Sequence, residues 1–397
     1  MEKTRQAGIA QGLVLSLLTF LPIMATVSLG AGMPLFREHF HAAAGAIWFV
    51  PMLLTVPAVF IAIISPVAGM LSDRFGRRRV LLIAIVMYGI CGLAPLLLHN
   101  LYLILGTRAG VGISEGMLMT AGKTLVGDYF TGARRQQWVG YQGVIDACLG
   151  SVTWLLGGYL ASLGWRGPFF LYLVSIPLLL ATAWLIWEPE AGRLATPESP
   201  AAAPFPWRTM SVLYVIVFAT GLMYFSYPVN IAEALKALGA GSATDIGIVT
   251  AIASIGTPVG ALLFARSPLR TNALLLALAL LLIGGGYLGI GSTSDYKVAT
   301  LFGFVEQIGT GIAGAVLVVW CLSYLPFEHR GAGMGFWSTA IVAGIFTSSP
   351  FFTIVAQHTG GVSAAFTFLG CICLVMAVLI GGIRRLRAPG PFATATH

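Results

Sequence analysis

Apolar residues fall in blocks of about twenty along the chain, and the polar residues between the blocks come in short charged clusters. A helix rises about 1.5 Å per residue, so a block of that length crosses a hydrocarbon core of about 30 Å. The pattern predicts helical spans at about 9–31, 46–70, 79–98, 101–125, 138–162, 167–187, 210–230, 245–265, 272–291, 299–322, 333–356 and 362–383. That is an all-α membrane protein of about twelve transmembrane helices. A transmembrane barrel would need polar and apolar residues alternating in segments of about ten, which runs such as ALLLALALLLIGGG do not show. The first apolar run has no small-residue cleavage site leading into a soluble domain, so it reads as a retained span and not a signal peptide.

Composition agrees with the pattern. The 397 residues are 57% apolar and 9% charged, with a mean hydropathy of +0.89. Soluble domains carry about 25% charged residues. The basic residues crowd alternate loops: Lys3, Arg5, Arg74, Arg77, Arg78, Arg79, Arg134, Arg135, Arg193, Arg208, Arg266, Arg270, Arg330, Arg384, Arg385 and Arg387 on one side, against Arg37, Arg166, Lys236 and Lys297 on the other. The bias predicts both termini on the cytoplasmic side, in a bacterial inner membrane. It also accounts for the net charge of +8 as topology and attraction to the bilayer surface, with no nucleic-acid partner. Cys91, Cys148, Cys321, Cys371 and Cys373 all fall inside predicted spans and read as small packing residues. The histidines never join cysteines or acids at metal-ligand spacing, so neither a metal nor a cofactor is expected.

The only long polar break, 188–209, is rich in Pro and Ala with mixed charge, and reads as a cytoplasmic linker. It divides the chain into two six-helix bundles, 1–187 and 210–397. The halves echo each other. Gly112 to Arg135 and Gly309 to Arg330 each run from a glycine-rich helix to an aromatic turn ending in arginine, as two copies of one duplicated, pseudo-symmetric bundle would. Between the second and third spans stands GMLSDRFGRRR, Gly69 to Arg79. Its charges exclude it from hydrocarbon and make it a tight, water-facing turn.

That turn resembles the signature of the major facilitator superfamily, with Gly69, Asp73, Gly76, Arg77 and Arg78 in the matching places. A weaker copy, GALLFARSPLR at Gly260 to Arg270, keeps the glycine and arginines without the acid. The resemblance covers the whole chain in span number and linker position. It implies a conformational latch in which Gly69 lets two helices approach and Asp73 holds arginines and a helix N-terminus in one of two arrangements. The bland alternative is a basic loop serving topology alone.

Charges inside spans are costly unless paired or wet, which makes them functional candidates. Arg108, Glu115 and Lys123 share one face of the fourth span at about 100° per residue. The resemblance implies that this helix lines a central cavity, with Arg108 and Gly112 matching the family's arginine and glycine four apart. A structural Arg108–Glu115 pair and a snorkelling Lys123 are the alternatives. Asp146 in the fifth span is the best single proton carrier. Glu306 and Gln307 open the tenth span, with a place near the outer interface as the alternative. Tyr224, Phe225, Tyr227 and Asn230 in the seventh span, with Trp337 in the eleventh, could wall a substrate pocket or serve as packing. GSVTWLLGG, Gly150 to Gly158, resembles the exporters' fifth-helix motif, but Trp154 and Leu155 stand where that motif has Gly-Pro. Two glycine patterns of dinucleotide type, GTGIAG at Gly309 to Gly314 and GGGYLG at Gly284 to Gly289, lie in no strand-turn-helix unit and read as helix-packing glycines.

The expectation is a monomeric, proton-coupled secondary transporter of a small organic solute, not an enzyme, embedded in a lipid bilayer and working by alternating access. Short outer loops tip it marginally towards efflux by antiport. The altered fifth-helix motif and the cations Arg108 and Lys123 support proton-coupled uptake of an organic anion instead. A non-transporting receptor or membrane enzyme is the alternative of another class.

Overall fold

A computed structural model describes residues 7–130, 132–188, 205–267, 271–325 and 330–382, and within them every side chain except those of residues 73, 132, 133, 135, 136, 139, 140, 144, 147 and 330–332. Residues 189–204 of the 188–209 linker, Arg270 of the second charged turn and the side chains of Asp73, Arg135 and Arg330 therefore lie outside the described residues. The described residues form helices and turns, with no strand. The chain divides into two compact units, Met1–Thr196 and Pro197–His397.

The first unit contains α1 (Ile9–Gly30), α2 (Met33–His39), α3 (Ala46–Phe75), α4 (Arg77–Leu93), α5 (Leu101–Tyr129), α6 (Gly132–Ser162) and α7 (Ser175–Leu185). The second contains α8 (Trp207–Ala237), α9 (Ala243–Ser254), α10 (Gly256–Arg266), α11 (Asn272–Ser292), α12 (Tyr296–Tyr324), α13 (Arg330–Thr359) and α14 (Val362–Gly382). Among the described residues, eleven segments are long and apolar enough to cross a membrane. The twelfth span is α5, whose 29 residues include Arg108, Glu115, Lys123 and Asp128. Each unit is thus a six-span bundle.

Three elements depart from the sequence pattern. The short α2 was read as loop; Pro34 sits in its first turn, and Met33, Pro34 and Phe36 are buried. The sixth span starts as a 3-10 stretch, Gly167–Val174, before becoming α7. The eighth is two helices broken at Ile255. Pro258 has no N–H to offer the Ser254 carbonyl, so the ladder loses a bond where the chain turns from α9 into α10.

Glycine decides where helices cross. A methyl group on Gly112 of α5 would collide with the Pro57 carbonyl of α3, and one on Gly116 would lie 3.2 Å from the Ile61 carbonyl. The second unit repeats the device between its own second and fourth spans. Gly256 and Gly260 meet the backbone of Phe304 and Ile308 in α12, and Gly311 meets the Thr257 carbonyl. Such spacing lets backbones approach closely where lipid offers no hydrophobic drive for helix association. Both dinucleotide-like patterns belong here. A methyl on Gly309 would lie 2.6 Å from the Ala279 carbonyl, and one on Gly286 would lie 2.7 Å from that of Phe302.

Among the described residues, α5, α9 and α12 start on the side chain of their own N-cap residue. Asn100 accepts from the Tyr102 and Leu103 amides at 2.8 and 3.3 Å, Ser242 from the Asp245 amide at 3.1 Å, and Asp295 from the Lys297 amide at 2.7 Å. These caps fix where α5, α9 and α12 begin, and so the depth of every charge they carry.

Candidate functional site

Arg108 lies seven residues into α5 and is fully buried. Its Nε donates to the Leu53 carbonyl of α3 at 3.2 Å, and one terminal nitrogen donates to the Tyr172 hydroxyl at 2.6 Å. The guanidinium also sits 5.4 Å from the centre of the Tyr172 ring, and that ring packs 4.9 Å from Tyr88. Tyr88 in turn donates to the Leu21 carbonyl of α1 at 3.0 Å. The arginine is therefore clamped within its own bundle, with its other terminal nitrogen unpartnered. Glu115, two turns further on, is 1% exposed and feels the Arg108 charge, but no ion pair joins them. Its Oε1 is likewise unpartnered. Lys123 of the same helix is exposed and is the charged neighbour of Asp146 on α6, whose Oδ1 is buried without a partner. The three α5 charges thus separate into a buried pair and an exposed cation facing a second acid.

In the second unit, Glu306 lies ten residues inside α12, about 15 Å along the axis from Tyr296. It is fully buried, and α12 starts at the Asp295 cap, before the apolar run begins. Its two carboxylate oxygens accept from Thr310 Oγ1 at 2.8 Å and Gln307 Nε2 at 2.9 Å, and Gln307 Oε1 accepts from Thr257 Oγ1 of α10 at 2.5 Å. Tyr227 of α8 stands one turn away, its hydroxyl 2.6 Å from where a methyl on Gly303 would be, and is itself buried. Gly286 of α11 packs directly against the Glu306 Cβ position. Among the described residues no cation pairs with Glu306. Asn230 donates to the Ser226 carbonyl at 3.0 Å and leaves its Oδ1 buried and unpartnered, as is Trp337 Nε1. Tyr224 packs against Phe225, and no hydrogen bond links it or Trp337 to Glu306.

The charged turn is built from contacts within the first unit. Gly76 joins α3 to α4 at φ +89°, and a methyl there would sit 2.8 Å from a Glu188 oxygen. Glu188 caps α4, accepting from the Arg77 amide at 2.7 Å and the Arg78 amide at 2.9 Å. The Arg77 side chain forms an ion pair with Asp128 at the end of α5, and Arg78 donates to the Ala183 carbonyl of α7 at 2.7 Å. Tyr129 and Trp187 stack at 4.7 Å, with the hydroxyl donating to the Trp187 carbonyl at 2.6 Å. A methyl on Gly69 would meet only Thr120, at 3.9 Å, an ordinary contact and not the close approach expected.

Asp128, Glu188, Tyr172 and Thr310 are the residues that sequence reasoning missed. Thr310 was within reach, four residues after Glu306 on one helix face. Glu188 and Tyr172 act over 110 and 64 residues and leave no local signal.

A sequence profile of the Major Facilitator Superfamily matches residues 15–235 and again residues 210–395. The chain belongs to this superfamily. Among curated relatives, the efflux pump dotC of Dothistroma septosporum is 27% identical over 53% of this chain and 36% of its own length. The chain thus spans about a third of the length of the first relatives it matches. The 3-(3-hydroxy-phenyl)propionate transporter of Escherichia coli is 28% identical over 81% of both chains. Crystal structures of a D-xylose-proton symporter and of the peptide transporter POT share the fold, with TM-scores of 0.71 and 0.76 at 16% and 13% identity, covering 97% and 96% of this chain and 98% and 96% of theirs. The protein is an integral, multi-pass membrane member of the superfamily.

Proposed function

We propose that this superfamily member is a proton-coupled secondary transporter of a small organic anion, with an aromatic carboxylate as the leading substrate class. The observation that carries proton coupling is Glu306, a carboxylate about 15 Å along its span, fully buried and hydrogen-bonded by neutral donors. A buried acid with no cation paired to it among the described residues is a candidate to exchange a proton with whichever side it opens to. Glu115 and Asp146 are its counterparts in the first unit, and Arg108, Lys123, Tyr224, Tyr227, Asn230, Gln307 and Trp337 supply the solute pathway. Unpartnered buried atoms on Arg108, Glu115, Asp146, Asn230 and Trp337 support this assignment, since buried polar atoms are almost always bonded to something. The carboxylate substrate is supported by the cations of α5 and by the relative that matches over 81% of its length.

Export of a lipophilic solute by antiport is the second reading. The names of relatives such as MdtP of Bacillus subtilis, a multidrug transporter, favour it. The test is transport by proteoliposomes under an imposed proton gradient, with hydroxyphenyl-propionates and with lipophilic cations as solutes. Accumulation of the acid with the proton gradient supports the first reading, and gradient-driven expulsion of the cation the second. Transport of either that ignores the gradient overturns proton coupling.

A further inference from the structure

A cavity of about 610 Å³ opens at the end of the first unit, where α3 gives way to α4 and α7 ends. Its polar lining is three guanidinium groups, Arg74, Arg78 and Arg79, and one carboxylate, Glu188. That carboxylate is already spent on the Arg77 and Arg78 amides, and no ion pair among the described residues occupies the three guanidiniums. The pocket therefore presents a net positive face to anything that enters. Its apolar lining points outward: Trp184 is 86% exposed and Phe75 is 49% exposed, with Arg74 5.3 Å from the centre of the Phe75 ring.

The surface running away from the pocket is apolar on both sides of one seam. α4 and α7 pack side by side, joined by the Arg78 bond to Ala183 at one end and by Gly89 against Ser175 further along. Flanking that seam are Ile83, Val86 and Ile90 on α4, and Ile176, Leu180 and Trp184 on α7, all exposed at helical spacing. A basic pocket at the end of two spans, with exposed apolar side chains of both spans beyond it, offers charge to a phospholipid headgroup and apolar surface to its chains. The charge balance selects the headgroup. Three guanidiniums and one engaged carboxylate favour an anionic phosphate diester over a zwitterion, and an exposed Trp belongs at the level of the glycerol backbone.

We infer that this pocket is a binding site for an anionic phospholipid of the phosphatidylglycerol type, its phosphate on Arg74, Arg78 and Arg79 and its acyl chains along the α4–α7 seam. The site shares Gly76 and Arg78 with the charged turn, so an occupied pocket braces the joint between α3 and α4. The inference stands on geometry and charge and does not depend on the substrate or the driving ion.

The test uses the full chain in phosphatidylcholine nanodiscs, titrated with phosphatidylglycerol brominated on its acyl chains, with Trp quenching as the readout. Wild type should be quenched more strongly by brominated phosphatidylglycerol than by brominated phosphatidylcholine or phosphatidylethanolamine, and Trp184→Phe should lose most of that difference. Arg74→Gln with Arg79→Gln should weaken apparent affinity roughly five-fold per arginine, in line with one juxtamembrane cation each. Arg134→Gln, outside the pocket, should leave it unchanged. Arg74 and Arg79 are exposed, so the double variant keeps the Arg78 and Glu188 contacts that hold the turn. Equal quenching by the three lipids, equal loss in Arg134→Gln, or displacement by inorganic phosphate at the lipid's own concentration would each overturn the site.

Discussion

Single side chains set how each bundle handles charge, and Glu306 and Arg108 do so in opposite ways. Glu306 is held by hydroxyl and amide donors that can serve it in either protonation state. Replacing it with Gln keeps the volume and one acceptor, so Glu306→Gln should insert normally, retain counterflow within about threefold, and lose gradient-driven accumulation by tenfold or more. Accumulation at wild-type level in that variant would remove Glu306 from the coupling path and turn attention to Asp146. Arg108, by contrast, is tied to Leu53 and Tyr172 and balances a buried Glu115 that it does not touch. Arg108→Leu alone should cost about 3–5 kcal/mol of stability by stranding that acid, whereas adding Glu115→Gln should restore much of it. Thermal unfolding of the two variants decides the matter, and equal melting temperatures would show that the charges are independent. Outside the membrane, His39 stacks on Trp165 at 4.5 Å, and the slight loss of solvent on that side, then the charges of Arg166 and His99, hold its pKa below the ordinary value. The folded protein thus prefers the neutral ring. As pH falls through about 6.5 the unfolded chain takes up this proton first, so the ring's contribution to stability is lost towards acid. His39→Gln should flatten the fall in melting temperature between about pH 7 and pH 5. The change will be small, because the ring is exposed.

Helices record their sequence at two different levels of legibility. Their existence follows from apolar runs, and eleven segments plus the charged α5 recover the twelve spans that hydropathy marks. Their ends follow less evenly: α5, α11 and α14 start where the apolar runs start, at 101, 272 and 362, whereas α12 starts at the Asp295 cap, ahead of its run, and Pro258 splits the eighth span, which apolar content does not register. The earlier start of α12 puts Glu306 ten residues into the helix. The crossings are legible only in part. Gly112 and Gly116 carry the expected spacing and do meet the α3 backbone, yet Gly69, the first residue of the most conspicuous motif in the chain, makes no close approach among the described residues. The two should therefore respond differently to the same chemistry. Gly112→Ala forces a methyl into the Pro57 carbonyl and should part α3 from α5, lowering the melting temperature by several degrees, whereas Gly69→Ala should leave it within error. A neutral Gly112→Ala would mean that the α3–α5 crossing can relax by the fraction of an ångström it needs.

Across the whole molecule, the proposed transport requires each bundle to stay intact while its accessible side changes, and the charged turn ties the first bundle together. Arg77 with Asp128, Glu188 on the two amides, and Arg78 on Ala183 tie α4 to α5, α7 and the segment after it, all inside one unit. Only the motif's arginines could be read from sequence; their partners are 51 or more residues away and arrive through folding alone. If these bonds act as one brace, removing either member of the Arg77–Asp128 pair should have the same effect as removing both. Arg77→Gln, Asp128→Asn and the double variant should each insert at wild-type level and slow counterflow to a similar degree, about five- to tenfold, with the double no worse than the slower single. Asp73→Asn belongs in the same series as a separate test of the latch, in which the acid shifts the balance between two conformations independently of the Arg77–Asp128 pair. Its defect should then multiply with that of Arg77→Gln. Additive losses between Arg77 and Asp128, or wild-type turnover in all four variants, would show that the turn serves topology and not transport.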